Sequence, residues 1–513
     1  MGPSALPKWP SPEALARPLT GLVVQAAPRT APWEAAPCFR EDTMSHPALP
    51  LAPPVPGTLS PRRALNRRAL SLVMASSLLG CAQMPADGGL SALAPLTDPH
   101  LGPTLSVAPT PEAPASHQQR VAGLLAQTLT PDSAVQVMLL QSPTVHAQLL
   151  ELGLAEADLA AAGRLPNPGL SFARLKQGSE VEIDRGLSFN LSRLLTWPIA
   201  RDIETQRLAQ ARLAVASEVL RQAFEVRQAW YQAVAAQELL AHTQRVLEAA
   251  QVGAELATRM RAAGNWNRLK ESTELGFEAE ALAQHQRAEL ARLSALENLA
   301  RLLGVASPQA FTLPEHLPAL PAQAQPLPLS EQAAVDQRLD VQAARLWAEQ
   351  KARQAGVTHR LLGFVNVLDI NAGLVNNSSR DAPRQRGYEV SLELPLFDWG
   401  DLKATQAELQ YQQAVTQATL TAQKARSEVR VRHAIYLTQF KLARHQIDTV
   451  LPLRKQASQE MLLRYNGMLI GVFDLLADAR EQGRAVQAAI EAQRDAWVAH
   501  AALLTPAPTP AGP

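Results

Sequence analysis

Leu208-Ala209-Gln210-Ala211-Arg212-Leu213-Ala214-Val215-Ala216-Ser217-Glu218-Val219-Leu220-Arg221-Gln222-Ala223-Phe224-Glu225-Val226-Arg227-Gln228-Ala229-Trp230 places large apolar residues at Leu208, Val215, Val219, Val226 and Trp230, in steps of seven and four. Those steps hold them on one helical face and match a coiled-coil seam rather than the broad stripe of a globular helix. Alanine is abundant at the flanking positions, so neighbouring helices can approach closely. The stretch lies in a proline-free run, 199–307, and a second run, 396–505, contains only Pro452. Proline removes a backbone donor and clashes with the preceding turn, so both runs are free to be helical. A continuous helix over 200–259 would be about 90 Å long at 1.5 Å per residue. Such a helix does not fold back into a compact domain; a soluble coiled coil and a helical tube both fit.

Segments of period two lie between the helices. Residues 169–176, 186–194, 361–375 and 388–396 alternate apolar with polar side chains. In the second, Leu187, Phe189 and Leu191 oppose Ser188, Asn190 and Ser192; in the last, Tyr388, Val390, Leu392 and Leu394 alternate with Glu389, Ser391 and Glu393. The polar run Asn376-Asn377-Ser378-Ser379-Arg380-Asp381 reads as the turn of the second hairpin. Strands with one wet face suit a membrane barrel with a water-filled lumen as well as a half-buried hairpin. The chain also repeats itself: a short helix, a hairpin, a long helix, a turn and another helix recur in 133–304 and 330–503. Ala147 matches Ala343, Trp197 matches Trp399, and Thr205-Gln206 matches Thr405-Gln406. The first helices are expected over 134–163 and 334–356. Two hairpins supply four strands, and a closed barrel needs about eight, so several chains must share one barrel.

Upstream, Arg62, Arg63, Arg67 and Arg68 precede a short apolar run that ends in Leu78-Leu79-Gly80-Cys81. This is the layout of a bacterial lipoprotein signal: a basic part, an apolar part of about 11 residues, too short to span a bilayer, and a lipid-accepting cysteine. Cys81 is then the lipid attachment residue, and the second cysteine, Cys38, is removed with the leader. Met44 offers an alternative start. The expected organisation is a leader and signal at 1–80, a flexible lipid-anchored linker at 81–120, repeat 1 at 121–304, a Pro-rich linker at 305–329, repeat 2 at 330–503 and a disordered tail at 504–513. Proline placement supports these boundaries, since 21 of the 39 prolines precede residue 119.

Composition excludes several classes. The 48 basic and 47 acidic residues balance, which leaves no broad footprint for nucleic acid. Aromatic residues make up only 4%, low for a large globular core, while the Ala, Leu, Gln, Arg and Glu content favours long helices. No His-Glu-x-x-His, phosphate-binding glycine loop or cysteine cluster is present. No catalytic residue, metal site or cofactor is expected, and the protein reads as a non-enzyme.

The chain resembles the TolC-type outer-membrane efflux proteins, in the lipoprotein-anchored branch, over about residues 121–503. The resemblance is carried by Gln141-Ser142-Pro143, Leu165-Pro166-Asn167-Pro168, Leu394-Pro395-Leu396-Phe397-Asp398-Trp399-Gly400, and Arg464-Tyr465-Asn466-Gly467 with Asp474-Leu475-Leu476. It implies a mainly α fold of duplicated coiled-coil helices plus β-hairpins. A homotrimer would form a twelve-stranded barrel in the outer membrane and a twelve-helix periplasmic tunnel. It further implies passive export of substrates, heavy-metal cations or drugs, delivered by an inner-membrane pump through a periplasmic adaptor protein, with outer-membrane lipids around the barrel. A type I protein secretion duct is the alternative within the family; a lipid-anchored coiled-coil scaffold is the alternative outside it.

The same resemblance assigns a periplasmic gate to Asp474, Tyr465 and Arg464, and adaptor-docking turns to Gly264, Asn265 and Gly467. Three Asp474 side chains in a ring would repel one another and attract cations. The first turn, Gly264-Asn265-Trp266-Asn267-Arg268, carries no acid, so the two turns are not expected to be chemically alike.

Overall fold

The computed structural model describes residues 85, 87, 89–101, 114–178, 180–326, 331–360, 369–379, 383, 385–393 and 401–504. The chain divides into two units, Met1–Val73 and Met74–Pro513, and every described residue belongs to the second. Cys81, the signal, the crossing at 394–400 and the tail beyond 504 lie outside the described residues.

The architecture is mainly helical with one small sheet. Helices α1 (Ala94–Leu101), α2 (Pro114–Leu125), α3 (Pro131–Gln141) and α4 (Pro143–Ala162) lead into strands β1 (Gly169–Gln177) and β2 (Glu180–Asn190). The long helices α5 (Leu191–Ala262) and α6 (Arg268–Leu303) follow. The second half repeats the order with α7 (Glu331–Asp336), α8 (Leu339–Arg360), β3 (Asp369–Ser379), β4 (Gln385–Glu393), α9 (Asp401–His445), α10 (Leu451–Asn466) and α11 (Val472–Leu503).

The expected first helix of each unit is in fact two helices, broken by different chemistry. In the first unit Pro143 opens α4 and holds Ser142 extended at φ −64°, ψ 122°. In the second the break carries Arg338, which is 2% exposed and forks onto both oxygens of Asp340 while reaching Glu428 of α9 at 2.7 Å. The 72-residue α5 is longer than the 200–259 segment expected, about 108 Å at 1.5 Å per residue, and runs through Pro198 near its start. Leu191 and Ser192 are helical rather than strand residues. Asn190 ends β2 because its side chain accepts from Arg193 N–H at 2.7 Å and caps α5. Leu208, Val215, Val219, Val226 and Trp230 are all buried. They belong to a core shared with Val135 and Met138 of α3, Leu152 of α4 and Leu299 of α6, so the seam is covered by several helices at once. Gly304 ends α6 at φ +75°, where a Cβ would lie 2.8 Å from the Gln141 carbonyl oxygen.

The second long helix differs from the first. Between Thr405 and Met468 it holds four more residues than the first unit has between Thr205 and Gly264. Four residues overshoot one 3.6-residue turn. The wider π turn Gln446–Val450, next to Pro452, sits in that interval and absorbs the excess.

The four strands form one antiparallel sheet in the order β1-β2-β3-β4. The polar run at 376–379 is strand rather than turn: Asn376 pairs with Arg185 and Asn377 with Asp184, and the Asn377 amide donates to Glu182. The register sorts charge by face. One face carries Leu170, Phe172, Leu187, Phe189, Leu374, Tyr388 and Val390, with Arg174, Lys176, Arg185 and Arg386 towards the hairpin ends. The other carries Ser171, Ser188, Asn371, Ser391, Glu182, Asp184 and Glu389. No acid lies on the first face and no base on the second among the described strand residues.

Two segments between the main elements are packed. The stretch expected to be a flexible spacer carries α1, whose Leu101 and Thr97 are buried, and Arg227 of α5 donates to the Leu101 carbonyl. Asp87 accepts from the Gly89 and Ser91 amides; the Ser91 hydrogen bonds lead in holding its carboxyl down at about 2. Residues 305–326 form a strap. Leu129 N–H donates to the Thr312 carbonyl, and Leu317 N–H to Glu238 of α5. Gln493 and Trp497 of α11 both donate to the Pro318 carbonyl, at 2.9 and 2.8 Å, and Gln325 N–H donates to the Tyr436 hydroxyl of α9. Among the described residues no helix is long and apolar enough to cross a membrane.

Candidate functional site

The residues singled out from the sequence gather at the end of the helices remote from the sheet, on two turns. The first joins α5 to α6 through Ala263–Asn267; the second joins α10 to α11 through Gly467–Gly471. Their backbones are the same object. Gly264 (φ +77°) and Met468 (φ +60°) take the left-handed position. Asn265 N–H donates to Met260 C=O and Leu469 N–H to Arg464 C=O, both at 2.9 Å, the six-residue closure that ends a helix with a left-handed residue. Gly264 is thus the backbone counterpart of Met468, while Gly467 corresponds to Ala263 and has φ −78°. Gly467 therefore does not play the part that Gly264 plays.

The following helices are capped by complementary halves of one device. In the first turn Asn267 uses its side chain to accept from Lys270 N–H at 2.9 Å. In the second the equivalent residue is Gly471, which has no side chain, and Asp474 reaches back to accept from Gly471 N–H at 3.0 Å. Asp474 is exposed, and this capping bond is a structural occupation for its carboxylate. Tyr465 and Arg464 are exposed on the last turn of α10, Tyr465 at 38%. Among the described residues Arg464 makes no ion pair. Arg259 pairs within its own helix, with Glu255.

Several contacts at this end were not foreseen from the sequence. Trp266 of the first turn lies against Phe473 of the second, with ring centroids 3.6 Å apart, and Lys270 sits 5.5 Å over the Trp266 ring. Although the first turn itself has no acid, Glu271 is buried one helical turn later and pairs with Arg261 across the turn. Glu274 of α6 is buried and pairs with Arg480 of α11, whose guanidinium lies 4.1 Å over the Phe277 ring. Glu271 and Glu274 share one face at i, i+3, which is visible in the sequence; that their partners are Arg261 and Arg480 is not. Just above lies a cavity of about 290 Å³ between α5, α6 and α11, lined by His242, Gly253, Phe277, Leu476 and Arg480. His242 donates from Nε2 to the Gly483 carbonyl, 2.9 Å away, and burial lowers its pKa from the ordinary imidazole value. Among the described residues no group of His, Cys, Asp and Glu side chains converges to hold a metal ion. The arrangement fastens two helix pairs together at their tips.

No family model and no curated protein matches the chain. Solved structures do. The open state of the MtrE outer-membrane channel of Neisseria gonorrhoeae is 20% identical, covering 75% of this chain and 88% of that one, with a TM-score of 0.61. The outer-membrane protein VceC of Vibrio cholerae is 18% identical, covering 73% and 95%, with a TM-score of 0.60. CusC, in structures concerned with folding and transmembrane channel formation, is 17% identical, covering 73% and 91%, with a TM-score of 0.59. The fold of this chain is that of the TolC-type outer-membrane channels, the family its sequence resembles.

Proposed function

We propose that this chain is the outer-membrane channel of a tripartite efflux system and works as a homotrimer. The observation that carries this reading is the sheet. Among the described residues β1 pairs only with β2 and β4 only with β3, so both edges of the four strands are unpaired there. An exposed edge beside an apolar face is an invitation to pair. Three copies joined edge to edge give twelve strands, enough to close a barrel. Strands of 9 to 11 residues suit a tilted membrane crossing. The apolar face then meets lipid and the face with Glu182, Asp184 and Glu389 lines a wet lumen.

The long helices extend the lumen through the periplasm, and the two turns form its far mouth. Exposed Leu269, Met468 and Leu469 there, Met468 at 93%, offer apolar contacts for a helical adaptor, which in turn meets an inner-membrane pump. Cys81 carries the acyl anchor. The duct performs no chemistry; a lumen lined by carboxylates raises the local concentration of cations, which favours cationic cargo, metal ions or basic drugs. A lipid-anchored scaffold needs no such sorting of charge across a sheet.

The test is reconstitution of the purified chain in planar bilayers, with its migration on gels before and after heating. A heat-dissociable oligomer with cation-preferring conductance is expected. A monomer without conductance would overturn the reading. Growth of a deletion strain across metals, dyes and antibiotics then separates metal from drug export.

A further inference from the structure

Among the described residues, the basic side chains of the sheet meet no acidic partner. Arg174 and Lys176 on β1, Arg185 on β2 and Arg386 on β4 share the apolar face, and all four are exposed. Among the described residues none makes an ion pair, and none has an acid beside it on that face. They are also confined to one end. Leu170, Leu187, Leu374 and Tyr388 form a row across the sheet; the next row towards the hairpins holds Phe172, Arg185, Asn376 and Arg386; Arg174 and Lys176 lie beyond it. The helices leave from the opposite end, after Asn190 and before Gly169.

An unpaired guanidinium on a lipid-facing strand is strongly disfavoured in hydrocarbon and tolerated at the interface. The same row that carries Arg185 and Arg386 therefore marks where hydrocarbon ends on the side away from the helices. Groups of opposite charge at that depth are headgroup phosphates, which arginine grips with paired N–H donors. We propose that Arg174, Lys176, Arg185 and Arg386 form a binding belt for the phosphate groups of outer-leaflet glycolipids, repeated around the barrel by each copy of the chain. The proposal rests on the barrel reading above, since only closure turns this face towards lipid. The belt sits directly above the apolar band, so one lipid places its acyl chains on Leu170, Phe172 and Tyr388 and its phosphate on the cations. The acids on the opposite face leave the lumen free of bound lipid.

The experiment uses the full chain, purified and delipidated in neutral detergent with EDTA present, so that divalent cations bridge nothing. The temperature at which the oligomer dissociates on gels is read with bis-phosphorylated lipid A, with enzymatically dephosphorylated lipid A and with inorganic phosphate alone. Only phosphorylated lipid A is expected to raise that temperature. The combined variant R174Q/K176Q/R185Q/R386Q is expected to lose the rise, and D184N/E389Q, on the other face, to keep it. Equal protection by both lipids, protection by inorganic phosphate alone, or loss of the rise in D184N/E389Q overturns the belt. If the fourfold variant forms no oligomer, the comparison of the two lipids on the unaltered chain decides. An unaltered chain that forms no heat-sensitive oligomer overturns the barrel reading itself, an outcome distinct from an oligomer indifferent to phosphate.

Discussion

Trp266 and Phe473 face each other across the two helical turns with 3.6 Å between ring centroids, so the end of one helix pair is clasped to the end of the other. Aromatic pairs add about 0.5–1.5 kcal/mol beyond the area they bury. A double-mutant cycle with Trp266→Ala and Phe473→Ala should return a coupling of about that size. The readout is the opening free energy of turn amides by hydrogen exchange, and additive single effects would refute the clasp. Conductance should rise in either variant if the clasp narrows the far mouth.

The two turns should respond oppositely to glycine and alanine. Met468 holds φ +60° with a side chain, and a left-handed backbone costs an L-residue roughly 1–2 kcal/mol. Met468→Gly should therefore stabilise its turn by up to about 1 kcal/mol, the gain being reduced by the flexibility of glycine in the unfolded chain. Gly264→Ala should destabilise the first turn by about 1 kcal/mol, although nothing lies within 4 Å of the new methyl group. Thermal unfolding of the pair of variants measures both signs.

Removing a helix cap has a known scale. Asp474→Ala and Asn267→Ala should each cost about 0.5–2 kcal/mol, by loss of the bonds to Gly471 and Lys270 amides. If Asp474→Asn keeps stability but changes cation conductance, the carboxylate acts on permeant ions besides capping the helix.

Arg338 fills the break between α7 and α8 and faces Asp340, Glu428 and the neighbouring Arg432. Burial alone would lower its pKa, but the two carboxylates raise it above the ordinary value, whereas burial leads in lowering that of Arg432. Breaking a buried ion pair from one side costs up to about 3–5 kcal/mol; here Asp340 loses its cation, while Glu428 keeps Arg432 and Lys424 nearby, which places the cost at the lower end. Arg338→Ala should lower the unfolding midpoint more than any exposed arginine substitution such as Arg259→Ala.

Acid should weaken the helical part in a defined window. His100, His242 and His500 all have pKa values lowered from 6.5, with burial the leading cause. The unfolded chain then binds more protons than the folded one as pH falls below 6.5, so stability is complete above that value and is lost on acidification. His242→Gln, which retains an amide donor towards the Gly483 carbonyl, should flatten the pH dependence between neutral and mildly acidic solution. An unchanged slope would remove His242 from the account.

The sequence exposed the long helices because their seam is strict: Leu208, Val215, Val219, Val226 and Trp230 repeat in steps of seven and four and all are buried. The strands showed their alternation, but their ends were hidden. Asn376 and Asn377 have the composition of a loop, and they are strand residues because the face with Asn377 is wet and Asn377 finds Glu182 on the neighbouring strand. Composition separates loop from strand only where one face must be dry. Arg338 with Glu428 and Arg480 with Glu274 are separated by 90 and 206 positions, and no local pattern marks which charges will meet. Gly467 is placed in a turn by resemblance alone, and the left-handed backbone of that turn falls on its neighbour Met468, where only geometry could place it.

The strap over 305–326 has a mechanical meaning. It is tied to Glu238 on α5, Tyr436 on α9 and Gln493 with Trp497 on α11, three helices from both halves of the chain. Parting those helices at this level breaks several hydrogen bonds at once, so any spreading of the turns has this level as its fulcrum. The lever arm from Tyr436 to Asn466 is about 45 Å at 1.5 Å per residue, and it contains the π turn. A tilt of about 10° over such an arm carries the tip sideways by roughly 8 Å, wider than a hydrated ion, while the sheet beyond the strap stays where it is.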